Sequence, residues 1–244
     1  MTTDELKQAS PRRGFLGTLA TGAAALGLAA IASPFQLNAQ DKKEPEKKTG
    51  GVGMPMKSSH PADIWFSKLG GTHRIVFDAT QPHELMPFAW PKVFMLTNAA
   101  TGSTEKECGV VVVLRHAAIC YALDSNLWSK YKLGELMKAE DPATKMASTR
   151  NPFWKPGKDD FKIPGVGPVE IGINQLQEHG VMFCVCDMAM TVFSAIAADQ
   201  SKMDAAEVKK EWLAGVLPGI QVVPSGVWAV GRAQERGCKY CFAG

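Results

Sequence analysis

Residues 179–190 read HGVMFCVCDMAM, and the fold follows from this stretch. His179 and Gly180 close one helical run, 181–186 form a short apolar run rich in β-formers, and Asp187 opens a second helical pattern. A strand that is apolar on both faces and lies between two helices belongs to a parallel sheet covered on both sides. Working outward, the same theme recurs. Strands are expected over 74–78, 109–114, 181–186, 220–223 and 239–242, and helical patterns over 85–98, 127–138, 171–179, 188–198, 205–213 and 227–236. Pro87 and Pro91 fall early in the first of these helices, so its start is expected as late as Trp90. Gly180 and Gly237 each end a helical run before a strand, where a left-handed residue is wanted. The expectation is a single α/β domain of about five mostly parallel strands with helices on both faces.

The composition agrees with a folded chain: 244 residues, 45% hydrophobic and 21% charged, with a net charge of +3. No basic block exceeds Lys42-Lys43 and Lys47-Lys48, which argues against nucleic-acid binding. Ahead of the alternating region, Arg12-Arg13 precede Phe15-Leu16 and an apolar, Ala- and Gly-rich run over 18–32. That run is shorter than the ~20 residues needed to span a bilayer, and small residues at Ala30, Ala32 and Ala39 offer cleavage sites. Residues 1–39 are thus expected to be an export signal resembling the twin-arginine type, with membrane contact only in transit and a periplasmic destination. Pro11 and Gly17 depart from the usual twin-arginine pattern. Residues 40–62, mixed in charge and poor in large apolar side chains, are expected to be a flexible tether, and 63–244 the folded domain.

The stretch 140–169 contains five prolines and three glycines and has little periodicity. A connection of this length is either a lid, binding loop or subunit contact, or a surface insertion without a role. Phe153 and Trp154 would anchor it.

All six cysteines lie after residue 107. Cys184 and Cys186 are two apart on an expected strand, so they share a face. Their Cα atoms would lie about 6.5–7 Å apart, at the edge of what a relaxed disulfide allows. Cys186 ends the strand, which puts its sulfur at the carboxyl edge of the sheet beside helix amides that favour a thiolate; Asp187 opposes this with its negative charge. Cys184 reads most simply as a small buried hydrophobe. Cys238 and Cys241 have C-x-x-C spacing, but on an extended strand residues three apart point to opposite faces. A four-cysteine metal set from the two pairs has no diagnostic spacing. His116 and Cys120 would share a face if their segment is helical, and His179 suits the last turn of a helix. G-x-G-x-x-G, Walker and G-x-S-x-G patterns do not occur.

The strand alternation, GVMFCVCDMA at 180–189 and VVPSGVWAVGRAQERGCKY at 222–240 together resemble the DsrE/DsrF-like family over most of residues 73–244. The resemblance implies a flavodoxin-like domain in which the cysteine ending the third strand carries sulfur as a persulfide, and Cys186 stands at that position. Val223-Pro224-Ser225-Gly226 matches the turn after the fourth strand, and Gln234 to Gly237 the helix end. The export signal, the 140–169 loop and Cys241 depart from the family pattern. The resemblance also implies homo-oligomers. The leading expectation is therefore an exported protein that binds or relays sulfane sulfur through Cys186 in periplasmic sulfur metabolism, with Cys184 as a possible resolving thiol. Its partners would be sulfur donor and acceptor proteins or small sulfane-sulfur compounds, and no cofactor or resident metal is implied. Two alternatives stand beside it: a non-catalytic small-ligand-binding or assembly module, and a thiol–disulfide protein using Cys238 and Cys241.

Overall fold

The computed structural model describes residues 60–244; the expected signal and most of the expected tether lie outside them. Folded structure begins slightly earlier than expected. Helix α1 (Pro61–Phe66) is capped by His60, whose Nδ1 accepts from the Ala62 N–H, and Ala62 is fully buried. Residues 60–62 thus belong to the domain and not to a tether.

Each expected strand is present. β1 (His73–Ala79) is followed by α2 (Met86–Ala100) and β2 (Cys108–Leu114). A 3₁₀ segment (His116–Ala122), α3 (Ser125–Tyr131) and α4 (Leu133–Leu136) come next. The long loop carries a small hairpin, β3 (Lys162–Ile163) with β4 (Gly167–Pro168), before α5 (Ile173–Glu178). β5 (Met182–Cys186), α6 (Asp187–Ser201), α7 (Ala205–Ala214), β6 (Ile220–Val223), α8 (Gly226–Glu235) and β7 (Lys239–Phe242) complete the chain.

Five strands pair in parallel in the order β6-β5-β2-β1-β7. The result is a single flavodoxin-like α/β domain in its layers, with its sheet strands in the spatial order 4-3-2-1-5. The chain winds one way through four strands and then returns beside β1. One face packs on α1 and α8 through Phe66, Ala229 and Ala233 against Val76, Val111 and Val113. The other face carries a larger core that includes Phe88 of α2, Trp128 of α3, Met190 of α6 and Trp212 of α7. Gly180 and Gly237 both adopt φ of +85°, as their placement requires.

One local expectation is corrected and two are sharpened. The 127–138 helix is broken at Lys132, which takes φ of +50°. The break presses Gly134 so closely on Ser148 that a Cβ there would lie 2.2 Å from the Ser148 carbonyl oxygen. α2 starts at Met86, close to the start of the expected 85–98 pattern, because Pro87 falls in the first turn, where no backbone donor is needed. Finally, 140–169 is a docked loop. Buried Asn151 donates from Nδ2 to the carbonyls of Tyr121 and Leu123 at 2.8 and 2.9 Å, and fully buried Phe153 stacks on Phe88 and Phe161.

Candidate functional site

Cys186 is the last residue of β5 and the N-cap of α6. The strand must turn into a helix here, so the regular alternation of side chains ends at this residue. Its Sγ accepts the Ala189 N–H at 3.3 Å, a capping bond that aims the sulfur at the positive end of a 15-residue helix. Beside it, β6 runs into α8 through Ser225, whose Oγ caps that helix by accepting from the Trp228 N–H at 3.2 Å. Cys186 and Val223 are register partners on β5 and β6, so the amino ends of α6 and α8 are neighbours. Between them lies an open groove of about 540 Å³ lined by Arg115, His116, Cys186, Phe193, Ser225 and Gly226, among others.

Asp187, the carboxylate expected to oppose a thiolate, is engaged elsewhere. Its Oδ2 accepts from Lys209 Nζ on α7 at 3.0 Å. The ion pair balances the negative charge next to the sulfur, and the two helices that carry it pack against each other.

Arg115 follows β2 and enters the groove from the other side. Its Nε and Nη2 donate to the two oxygens of Asp78 at 2.6 and 2.8 Å, a fork-on-fork pair. Asp78 is the penultimate residue of β1, is nearly fully buried, and also accepts from the Tyr240 hydroxyl of β7 at 2.9 Å. Hydrogen bonding to Asp78 raises the Arg115 pKa, and burial together with the same carboxylate raises that of Tyr240.

Cys184 is placed differently from what its spacing from Cys186 suggested. Cys184 is fully buried in the core facing α1 and α8, and its pKa is pushed far up by burial. Cys186 packs with the opposite core cluster. The two therefore do not present a pair of thiols to the groove, and the resolving role considered for Cys184 lacks a geometric basis. Cys238 is buried on the α1–α8 side with its pKa raised to about 11 by burial, whereas Cys241 packs against the other core. This C-x-x-C pair straddles the sheet, as residues three apart on an extended strand do, and so gives no route to a redox disulfide. Among the described residues no group of three or more His, Cys, Asp or Glu side chains gathers to hold a metal. Cys120 is buried, and the Trp128 indole donates to its carbonyl. His116 is exposed at the groove with φ of +49°, its ring edge-on to Phe193 at 5.4 Å. His179 caps α5 and meets Glu105 at 3.0 Å.

No protein-family model and no curated protein matches the chain. Among solved structures, a protein of unknown function from Methanobacterium thermoautotrophicum is similar over 70% of this chain and 98% of its own. The identity is 18% and the TM-score 0.36.

The docked loop forms a second cavity of about 420 Å³ with residues 82–85, lined by Tyr121, Phe161 and charged side chains such as Lys138 and Glu140. It shares no lining residue with the Cys186 groove. Sequence reading missed Arg115, Asp78, Tyr240 and Lys209. The one available signal was Asp78 itself, a charge at the end of a strand otherwise expected to be buried.

Proposed function

We propose that the chain is an exported sulfane-sulfur carrier in which Cys186 holds the sulfur as a persulfide. The observation that supports this reading most is the placement of the Cys186 sulfur. It is an N-cap at the carboxyl edge of the sheet, opens into a groove, and has its neighbouring carboxylate neutralised by Lys209. A helix amino end favours negative sulfur in either the thiolate or the persulfide. The Cys186 thiolate attacks the outer sulfur of a donor R–S–S⁻, the new S–S bond forms as the old one breaks, and R–S⁻ leaves and takes up a proton. An acceptor thiolate then attacks the outer sulfur of the persulfide, which transfers it and regenerates Cys186 with no net oxidation.

Mass spectrometry of the purified chain, before and after exposure to a sulfane donor, tests the reading. One added sulfur mapped to Cys186, and lost in a Cys186→Ser variant that melts normally, is the expected result. An unchanged mass with every donor would sink it.

A second reading draws on the surface of α6, where Met188, Val192 and Ile196 recur every four residues and stand exposed beside exposed Val227. Such a face favours assembly, in keeping with the homo-oligomer that the family resemblance implies. Sedimentation velocity of the wild type and of a Val192→Glu variant separates this reading from the first: a second copy on this face predicts an oligomer that the substitution breaks.

A further inference from the structure

The cavity beneath the docked loop meets a polar group that the fold leaves without a partner. Tyr121 lies in the 3₁₀ segment after β2, and its ring is enclosed by Phe88, Phe153 and Trp128, with centroids 5.2, 5.2 and 5.8 Å away. The residue is 1% exposed, yet among the described residues its hydroxyl makes no hydrogen bond. With the ring enclosed, the hydroxyl is the end that reaches the cavity of about 420 Å³. Its partner must therefore come from what the cavity contains. Packing alone does not call for this oxygen, because phenylalanine fills the same space and leaves no buried polar atom to satisfy. Burial raises the Tyr121 pKa well above the usual 10, so at neutral pH the hydroxyl keeps its proton and can donate.

The cavity lies at the carboxyl edge of the sheet, where the chain leaving β1 faces the docked loop. Leu85, Phe161 and the Tyr121 ring supply apolar surface. The charged lining is evenly divided, with Lys138, Lys145 and Lys162 against Glu84, Glu140 and Asp160. Among the described residues none of these six pairs with another, although both signs share one small space. The hydrogen bond that one of their side chains does make is from the Gly157 N–H to Asp160 at 2.8 Å. The loop that presents Lys138, Glu140 and Lys145 is tied by backbone bonds from Asp141 to Met146 and from Ser148 to Ala139, both 2.8 Å. Glu84, Lys138 and Lys145 take φ of +47°, +55° and +60°, conformations that side-chain-bearing residues adopt where the surrounding structure imposes them. The charges are thus set around the cavity by a fixed backbone.

We infer that this cavity binds a small zwitterion, an amino acid with an apolar side chain, through the Tyr121 hydroxyl and the two sets of opposite charges. A bare anion or a bare cation meets as many repelling groups as attracting ones. A molecule that carries both a carboxylate and an ammonium is matched by both sets. Its carboxylate accepts from the lysines and from the Tyr121 hydroxyl, its ammonium donates to Glu84 and Glu140, and its apolar part lies against Leu85 and Phe161. A cavity of this size and mixed lining is in the range of small-molecule sites. It shares no lining residue with the Cys186 groove, so the assignment does not depend on the sulfur reading.

Isothermal titration calorimetry of the full chain tests the assignment with four probes. L-Phenylalanine and L-leucine carry both charges, phenylpropionate lacks the ammonium, and phenethylamine lacks the carboxylate. The amino acids are expected to bind at least about tenfold more tightly than either singly charged analogue. Tyr121→Phe should weaken amino-acid binding about five- to tenfold, and because it removes a hydroxyl without a partner its Tm should equal or exceed that of the wild type. The Lys138→Gln/Lys145→Gln variant should bring phenylalanine down to the level of phenethylamine, and Glu84→Gln/Glu140→Gln down to that of phenylpropionate. These four positions are exposed, so both variants should fold and keep the charge comparison readable even if Tyr121→Phe does not. Failure of both amino acids to bind, or analogues that bind as tightly, overturns the proposal. So does amino-acid binding that is unchanged in the lysine and glutamate variants. A Tyr121→Phe protein that binds as the wild type does, or melts below it, shows that the hydroxyl serves the fold and overturns its place in the site.

Discussion

Replacing Phe153 by Ala tests whether the 140–169 loop is part of the folded core. The Phe153 ring is fully buried, with its centroid 4.1 Å from that of Phe88, 5.0 Å from Phe161 and 5.2 Å from Tyr121. Transfer of the side chain to water costs about 2–3 kcal/mol. Each lost ring pair adds about 0.5–1.5 kcal/mol, and a cavity forms because Phe88 is held by α2 and Tyr121 by the 3₁₀ segment. Measured large-to-small changes of this kind cost about 3–5 kcal/mol in total. For a domain of this size that corresponds to a fall in Tm of about 6–20 °C. Thermal and urea melts followed by circular dichroism read the effect directly. Because the Cys186 groove shares no lining residue with the cavity beneath the loop, Cys186 alkylation below the melting range should stay within about twofold of wild type. A Tm within about 2 °C of wild type would refute the reasoning, since it would mean that the ring is not packed and that the loop is a detachable insertion.

Lys209→Met frees the Asp187 carboxylate beside Cys186, so alkylation of Cys186 at fixed pH should slow by roughly two- to fivefold; an unchanged rate would mean that the ion pair does not shape the sulfur's environment. Tyr240 has its pKa raised above the usual 10 by burial and by Asp78, so its stabilising contribution is complete below pH 10 and is lost as pH rises through the folded-state value. Tyr240→Phe should therefore flatten part of the alkaline loss of stability while costing less than about 1 kcal/mol at neutral pH, because the residue is half exposed; pH-dependent urea melts measure both. Gly226→Ala should destabilise by about 1–3 kcal/mol despite alanine's better helix propensity, because the added methyl collides with the Arg115 stem; a more stable variant would show that the stem is free to move. Changing Arg12 and Arg13 to Lys should leave full-length precursor in the cytoplasm, and continued export in cell fractionation would remove the twin-arginine reading.

The strands and most helices were legible in the sequence because their signals are local. A strand buried on both faces needs an unbroken apolar run, as in 109–114 and 181–186, and a helix that ends before a strand needs a left-handed residue, as at Gly180 and Gly237. The position of Cys186 at the strand-to-helix junction was legible for the same reason. What lies beside it was not. The Arg115–Asp78 pair spans 37 residues, the Tyr240–Asp78 bond 162, and the Lys209–Asp187 pair 22. Each depends on which strands and helices become neighbours, and β7 reaches Asp78 only because the last strand returns to the far side of β1. Spacing also misled where the backbone changed conformation. Two residues on one strand share a face only while the strand continues, and Cys186 leaves β5 for α6 where Cys184 does not. Periodicity is a property of the backbone that short segments carry by themselves, whereas the charge state and reach of a side chain are set by partners that only the sheet order brings together.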